Sequence, residues 1–181
     1  RVLVAQQKFI EAYPEYQAAL ALGRSSSSSS DSTPTSTPTP SALGNPALQF
    51  EAGTVASKAG LLDRAEEHYS MAQTGDPADP RYPLFLGMVQ LRLDKPEPAQ
   101  ASLVRAVTLD PNQAAAWGTL AELSLKNNQL SLALQHIEKA RTIDSQTPRW
   151  RLVQAKALKR RQDKGDVEMA AQLLLAMDRS E

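Results

Sequence analysis

The sequence predicts an all-α fold, a right-handed superhelical solenoid of helix–turn–helix repeats that follows a single helix and a disordered linker. Apolar side chains recur at helical spacing on both sides of a polar turn at residues 127–128, which predicts two helices joined by that turn. The same pattern occurs twice more, earlier in the chain and at one constant spacing. A fixed period of about 34 residues is typical of stacked helical repeats.

The second helix of each repeat carries a small residue, a large apolar residue and another small residue in the same order. The three sets are Ala65, Tyr69 and Ala72, then Ala99, Leu103 and Ala106, then Ala133, Ile137 and Ala140. Together with Trp117 and the Asp-Pro pairs at 76–77 and 110–111, these residues resemble the tetratricopeptide repeat family. The resemblance implies repeats at 46–79, 80–113 and 114–147, a divergent fourth at 148–181, and first helices that line an inner concave groove.

Residues 1–23 have helical apolar spacing, with a bend expected near Tyr13 because Pro14 lacks an amide hydrogen, and with Gly23 expected to end the helix. Three interpretations stay open for this helix: a cap packed on the repeats, the tail of a preceding repeat, or a separate helix near a partner or membrane anchor. Residues 24–45 are rich in Ser, Thr and Pro, and such a composition predicts a flexible linker.

Helix boundaries follow from proline, glycine and the repeat period. In the first repeat we expect a helix from Pro46 to residues 58–59, ended by Gly60, and a second over 62–73. Gly53 is predicted to lie at the closest approach of these two helices, with Ala65 as the facing small residue. The second repeat should have helices over 82–93 and 98–109, and the fourth over 149–162 and 166–177. If the last turn contains an insertion of three residues, Ala170, Leu174 and Met177 lie on the inward side of the last helix.

Composition excludes several classes of site and leaves the compartment open. The 20 basic and 20 acidic residues give a formal net charge of zero, so no global field favours nucleic acid or an anionic membrane. Without cysteine the chain cannot have a disulfide, a thiolate zinc site or a cysteine nucleophile. No apolar run has the length of a membrane span. The sequence begins with Arg1, so an upstream signal or anchor could have been removed. The sequence is therefore compatible with the cytoplasm or with the cell envelope.

No combination of residues in the sequence predicts catalysis, a cofactor or a metal site. His68 and His136 are separated by two repeat periods, so they occupy the same position in two separate repeats and cannot share a ligand. We expect both to lie on the surface or in the groove. No glycine-flanked nucleophile turn or phosphate-binding loop is present.

A basic residue recurs at the repeat period, at the end of each predicted first helix. These residues, called the basic ladder below, are Lys58, Arg92, Lys126 and Arg160. One interpretation is a row of cations in the groove that selects an acidic or carboxylate-ended ligand. The other is a set of solvated helix ends that complement the helix dipole. Thr54, Met88 and Glu122 occupy positions where family members that clamp chaperone tails have asparagines, so that clamp is not expected.

The sequence therefore predicts a non-catalytic scaffold or assembly factor that binds a peptide or helix of a partner protein in the groove. The alternative is a structural or oligomerisation module whose groove is filled by its own N-terminal helix or by another copy. A basic last repeat with Trp150 would suit nucleic acid, but Trp150 is expected to face the core. The predicted groove residues are Phe50, Thr54, Lys58, Leu84, Met88, Leu91, Arg92, Glu122, Lys126, Lys156 and Arg160.

Overall fold

A computed structural model describes residues 2–25 and 45–178 of the 181-residue chain. The described residues form helices and short turns without a β-strand, which confirms the predicted all-α class. The helices are α1 (Val2–Ser25), α2 (Pro46–Ala59), α3 (Leu62–Gly75), α4 (Arg81–Arg92), α5 (Pro96–Leu109), α6 (Ala114–Lys126), α7 (Leu130–Ile143), α8 (Pro148–Arg161) and α9 (Asp166–Asp178). Helix α2 packs against α3, α6 against α7 and α8 against α9. Helices α2, α4, α6 and α8 are called the first helices below, and α3, α5, α7 and α9 the second helices.

The chain divides into two compact units, Arg1–Ala99 and Gln100–Glu181, and the division falls inside α5. The first unit contains α1 to α4, and the second contains α6 to α9. Residues 26–44, on which most of the predicted linker falls, lie outside the described residues. The division of the chain into 1–23, 24–45 and 46–181 therefore stays a prediction. Within residues 2–25 and 45–178, no helix combines the length and apolar character that a membrane span requires.

Local capping places the ends of α2 where the sequence predicted them. Asn45 accepts a hydrogen bond from the Ala47 amide at 2.9 Å, and Pro46 occupies the first turn, where its missing amide hydrogen costs nothing. Gly60 ends the helix with φ 85° and donates its amide to the carbonyl groups of the last turn. A left-handed residue at this point lets the chain reverse into α3.

The N-terminal helix differs from its prediction at its end, because α1 continues two residues beyond Gly23, and its helical hydrogen bonding resumes after Pro14. Tyr13 and Leu20, on either side of the proline turn, are both buried. Packing therefore holds both halves of α1 in one helix, although the proline removes one backbone hydrogen bond. Gly23 does not end the helix.

Gly53 lies at the closest approach of α2 and α3, as predicted. A Cβ atom added to Gly53 would lie 2.9 Å from two ring carbons of Tyr69 and 3.3 Å from the Cβ of His68. The residues that face Gly53 are therefore Tyr69 and His68, and Ala65 is buried in the same core cluster beside them. This cluster also contains Tyr13, Ala56, Leu86 and Val89, so α1 to α4 share one core.

The last helix pair of the second unit follows the predicted insertion in part. Helix α9 begins at Asp166 as expected, and Ala170 is 6% exposed in a cluster with Ala155 and Leu158. Leu174 is 45% exposed, so the prediction that it faces inward is wrong. Leu173, which is one residue closer to Ala170, packs against this cluster instead. The side chain of Met177 lies outside the described residues.

Candidate partner-binding face

In the first unit, α2 and α4 lie side by side and run in the same direction. Near their starts, the ring of Phe50 on α2 lies 5.4 Å from that of Tyr82 and 5.0 Å from that of Phe85, both on α4. Near their ends, the Arg92 guanidinium donates to the Ser57 hydroxyl at 2.8 Å and to the Ser57 carbonyl at 3.3 Å. Contacts at both ends fix the two first helices as parallel neighbours.

The second unit repeats this arrangement with α6 and α8. The indole ring of Trp150 on α8 covers Gly118 on α6, where an added Cβ would lie 2.2 Å from a ring carbon. At the other end, Arg160 donates to the Leu125 carbonyl and to Oδ1 of Asn128, each at 2.8 Å. The sequence did not predict this role of Gly118. The sequence feature that indicates this contact is a glycine in one first helix combined with a tryptophan about one repeat later.

The predicted groove residues of the first unit differ in how much surface they offer a ligand. Phe50 is half-buried among aromatic rings, and the Thr54 hydroxyl donates to the Phe50 carbonyl and accepts from the Tyr69 hydroxyl. Met88 and Leu91 are half-buried on α4. Leu84 is only 6% exposed, so the prediction that it forms part of an open wall is wrong. Its side chain belongs to the interior, where apolar burial is favourable.

On the second unit, an ion pair joins the first turn of α8 to the C-terminal half of α6. Arg149 donates through Nε and Nη2 to both carboxylate oxygens of Glu122, each at 2.6 Å. This hydrogen bonding raises the pKa of the Arg149 guanidinium above its ordinary value. Glu122 is therefore already paired, while Lys126 and Lys156 are exposed.

The basic ladder has a structural role at two of its positions. Arg92 and Arg160 each reach back 35 residues to a carbonyl at the end of the preceding first helix in the same unit. The Ser57 carbonyl also accepts from the Gly60 amide, and the Leu125 carbonyl from the Asn128 amide, so each arginine is a second donor to a helix end. Lys58 lies 5.1 Å from the centre of the Phe9 ring on α1. The ladder is therefore not a uniform row of ligand contacts.

The two histidines, which the sequence placed on the surface or in the groove, are half-buried and hydrogen-bonded. His68 Nδ1 lies 2.7 Å from Gln49 Oε1, and its Nε2 lies 2.8 Å from the Tyr13 hydroxyl. His136 Nδ1 lies 3.2 Å from the Ser124 hydroxyl. Burial lowers the pKa of both imidazoles. The neutral form of each ring is therefore favoured in the fold.

Helix α1 packs on one side of the first helix pair. Gln6 donates to the Ala59 carbonyl at 3.0 Å, and Tyr13 bonds His68 on α3. A cleft between α1, α2 and α3 is lined by Leu20, Gln49 and other residues of these helices. Among the predicted groove residues, Lys58 contacts α1 through the Phe9 ring. These contacts fit the interpretation of α1 as a cap on the first helix pair.

The described part of the chain contains no group of three or more His, Asp or Glu residues that could hold a metal ion.

Comparison with known proteins gives one family match, because residues 90–157 match the family model described as tetratricopeptide repeat. No curated protein matches the sequence. The crystal structure of MamA is similar over 91% of this chain and 84% of its own, at 19% identity and a TM-score of 0.72. The structure of pilF of Pseudomonas aeruginosa is similar over 98% of this chain and 72% of its own, at 22% identity and a TM-score of 0.71. At these identities the likeness establishes the fold.

A third solved structure is the TPR2B domain of yeast Sti1 in complex with pHsp70. It is 19% identical, covers 63% of this chain and 96% of its own, and has a TM-score of 0.61. That protein therefore holds a partner on a fold similar to this one.

Proposed function

We propose that this chain, whose residues 90–157 match the tetratricopeptide repeat model, is a non-catalytic module that binds a peptide or helix of a partner protein along its first helices. The observation that carries the proposal is the parallel packing of first helices within each unit. Such helices present the same positions of successive repeats side by side, which gives a partner segment a regular surface of alternating apolar and polar contacts.

The first unit would supply apolar contacts to the partner. Met88 and Leu91 are half-buried on α4, so each has a part of its surface that a ligand side chain can cover. Methionine adapts its shape to different partners because its side chain is unbranched and polarisable. Covering apolar surface contributes about 25 cal/mol per Å² before the ordering costs of binding are subtracted.

The absence of catalysis is part of the proposal. Each histidine is engaged by neutral partners inside its own unit, and the Ser124 hydroxyl beside His136 belongs to a buried residue that is only 4% exposed, so a substrate has no access to it. The yeast Sti1 complex supports the view that a fold of this kind acts by holding another polypeptide. Scaffold and assembly roles fit such a module equally well.

A test of this proposal compares two substitutions that each place a carboxylate on a partly exposed apolar position. The full chain is used to capture a partner, and its affinity is then measured by surface plasmon resonance. Met88→Asp on the first helix α4 should weaken binding about tenfold or more, because it places a charge within the proposed contact. Val104→Asp on the second helix α5, where the valine is 47% exposed, should leave affinity within about twofold. Equal losses for both variants would contradict the proposal.

Self-association is the second candidate function, and exposed apolar residues on α9 favour it. Val167, Met169, Leu174 and Leu175 are each about half exposed or more. A second copy could cover them, as an oligomerisation module requires. Light scattering should then give the parent protein a mass larger than that of one chain. The Leu174→Lys variant should have the mass of a single chain. A single-chain mass for the parent would remove this candidate.

A further inference from the structure

One side of α8 carries three cations within two turns of the helix. Lys156, Lys159 and Arg160 are spaced three and four residues apart, so their side chains are neighbours on the helix surface. All three are exposed. One turn earlier on α8 lies Leu152, which is half-buried, and α6 contributes the half-buried Leu125. These five residues are called the α8 strip below.

The Arg160 side chain connects the two helices of the strip. Its guanidinium donates to the Leu125 carbonyl on α6, so the apolar and basic parts of the strip adjoin each other. An extended segment could therefore cover an apolar contact and several cations at once. This combination of contacts is what a short peptide motif can match.

The positive charge of the strip is not neutralised within the described residues. Arg160 donates to a backbone carbonyl and to the neutral side chain of Asn128, and neither acceptor carries a charge. Lys156 and Lys159 take part in none of the ion pairs formed by the described chain. By contrast, Arg149 near the start of the same helix is paired with Glu122. Like charges at this spacing repel one another, so carboxylates from outside the chain would relieve the repulsion.

We propose that the α8 strip binds an acidic peptide segment that also carries an apolar side chain. The carboxylates pair with Lys156, Lys159 and Arg160, and the apolar side chain covers Leu125 and Leu152. The inference deepens the proposed function and rests on it, since it assigns a ligand class to the first helices of the second unit.

The burial of Trp150 favours an acidic peptide over a nucleic acid. Nucleic-acid sites combine cations with exposed aromatic rings on which bases stack, but Trp150 on this helix is only 6% exposed.

The test uses the full chain and defined fluorescent probes in an anisotropy titration. The first probe is a short acetylated and amidated peptide of alternating Glu, Asp and Leu, and the second is the same peptide with Gln and Asn replacing the acids. The third is a short oligothymidylate. The parent chain should bind the acidic peptide at least about tenfold more tightly than the amide peptide or the oligothymidylate, and added salt should weaken that binding.

A charge-reversed double variant identifies the surface, and a matched variant controls for net charge. Lys156→Glu with Lys159→Glu should weaken binding of the acidic peptide about tenfold or more, because repulsion replaces attraction. Lys8→Glu with Lys164→Glu makes the same change in net charge at two exposed positions outside the strip, and should alter affinity about twofold at most. Circular dichroism checks that both variants keep the helix content of the parent.

Three results would overturn the inference. They are equal affinity for the acidic and amide peptides, tighter binding of the oligothymidylate, and equal weakening by the two double variants. A captured protein partner that binds the Lys156→Glu, Lys159→Glu variant as tightly as the parent would also overturn it, while the proposed function would stand. Loss of partner binding in Val104→Asp as well as Met88→Asp would instead count against the proposed function.

Discussion

The contact between Gly118 and Trp150 shows how one residue can set the distance between two helices. The indole ring occupies the space that any other residue would need for its Cβ. Alanine at an exposed helix position is usually more stabilising than glycine by about 1 kcal/mol. Here that preference is reversed, because the packing of α8 on α6 depends on the missing side chain.

Gly118→Ala should lower the free energy of unfolding by about 1 to 3 kcal/mol, because the methyl group must displace a rigid ring. Urea denaturation measures this change. In Gly118→Ala combined with Trp150→Leu, the smaller side chain leaves room for the methyl group, so the double variant should lose less than the sum of the two single variants. A neutral or stabilising effect of Gly118→Ala alone would show that the close contact is absent in solution.

The burial of His68 makes the stability of the fold depend on pH. The neutral ring satisfies both Gln49 and the Tyr13 hydroxyl, and burial lowers the pKa of His68, with Arg64 adding to the shift and Glu67 opposing it. The unfolded chain therefore binds the proton more readily than the folded chain. The stabilisation is complete above the unfolded pKa of about 6.5 and is lost as pH falls from there toward the lower folded value.

Urea midpoints measured from about pH 7.5 down to about pH 5.5 should fall for the parent chain, and His68→Gln should reduce that fall. Burial also lowers the pKa of His136, so His68→Gln with His136→Gln should reduce it further. If His68→Gln changed the midpoint equally at every pH, its side chain would act by packing alone.

At the scale of single elements, the turns between paired helices share one unusual backbone conformation. Gly60, Asp94, Asn128 and Gln162 have positive φ angles between 57° and 85°, and they follow one another at the repeat period. Only the first is glycine, which adopts this conformation without steric cost. The others carry a Cβ in the left-handed region, which costs about 1 to 2 kcal/mol and is best tolerated by Asn and Asp.

Gln162→Gly should therefore raise the free energy of unfolding by about 0.5 to 1 kcal/mol, since relief of strain outweighs the added freedom of the unfolded chain. Thermal or urea denaturation checks this. Gln172→Gly on the exposed side of α9 is the matched control and should destabilise by about 1 kcal/mol, as glycine does inside helices. If both substitutions destabilised the protein, the backbone at Gln162 would not be strained.

The elements could be predicted from the sequence because their signals are local. Pro46 and Gly60 mark the ends of α2, and the repeat period carries the same pattern into α4, α6 and α8 within one or two residues. The continuous course of α1 could not be predicted in this way. Its Pro14 signals a break, and only the burial of Tyr13 and Leu20 on either side holds the helix together.

At the scale of the whole molecule, the repeat period predicts the all-α repeat fold, but it does not predict the detailed surface. The period assigned Leu84 and Arg92 to the groove because it identifies equivalent positions in each repeat. The structure buries Leu84 and gives Arg92 a hydrogen-bonding role, since both depend on which neighbours surround them. Exposure and pairing are tertiary properties, and a sequence pattern reports them only on average.

Binding of partner proteins along the first helices is tested directly by hydrogen–deuterium exchange of the full chain with and without a captured partner, because bound segments exchange their amides more slowly. Exchange should slow in the first helices, including α4 and α8, and should stay unchanged in the second helices α3 and α7. Slowing confined to the second helices, or to α9 alone, would contradict it.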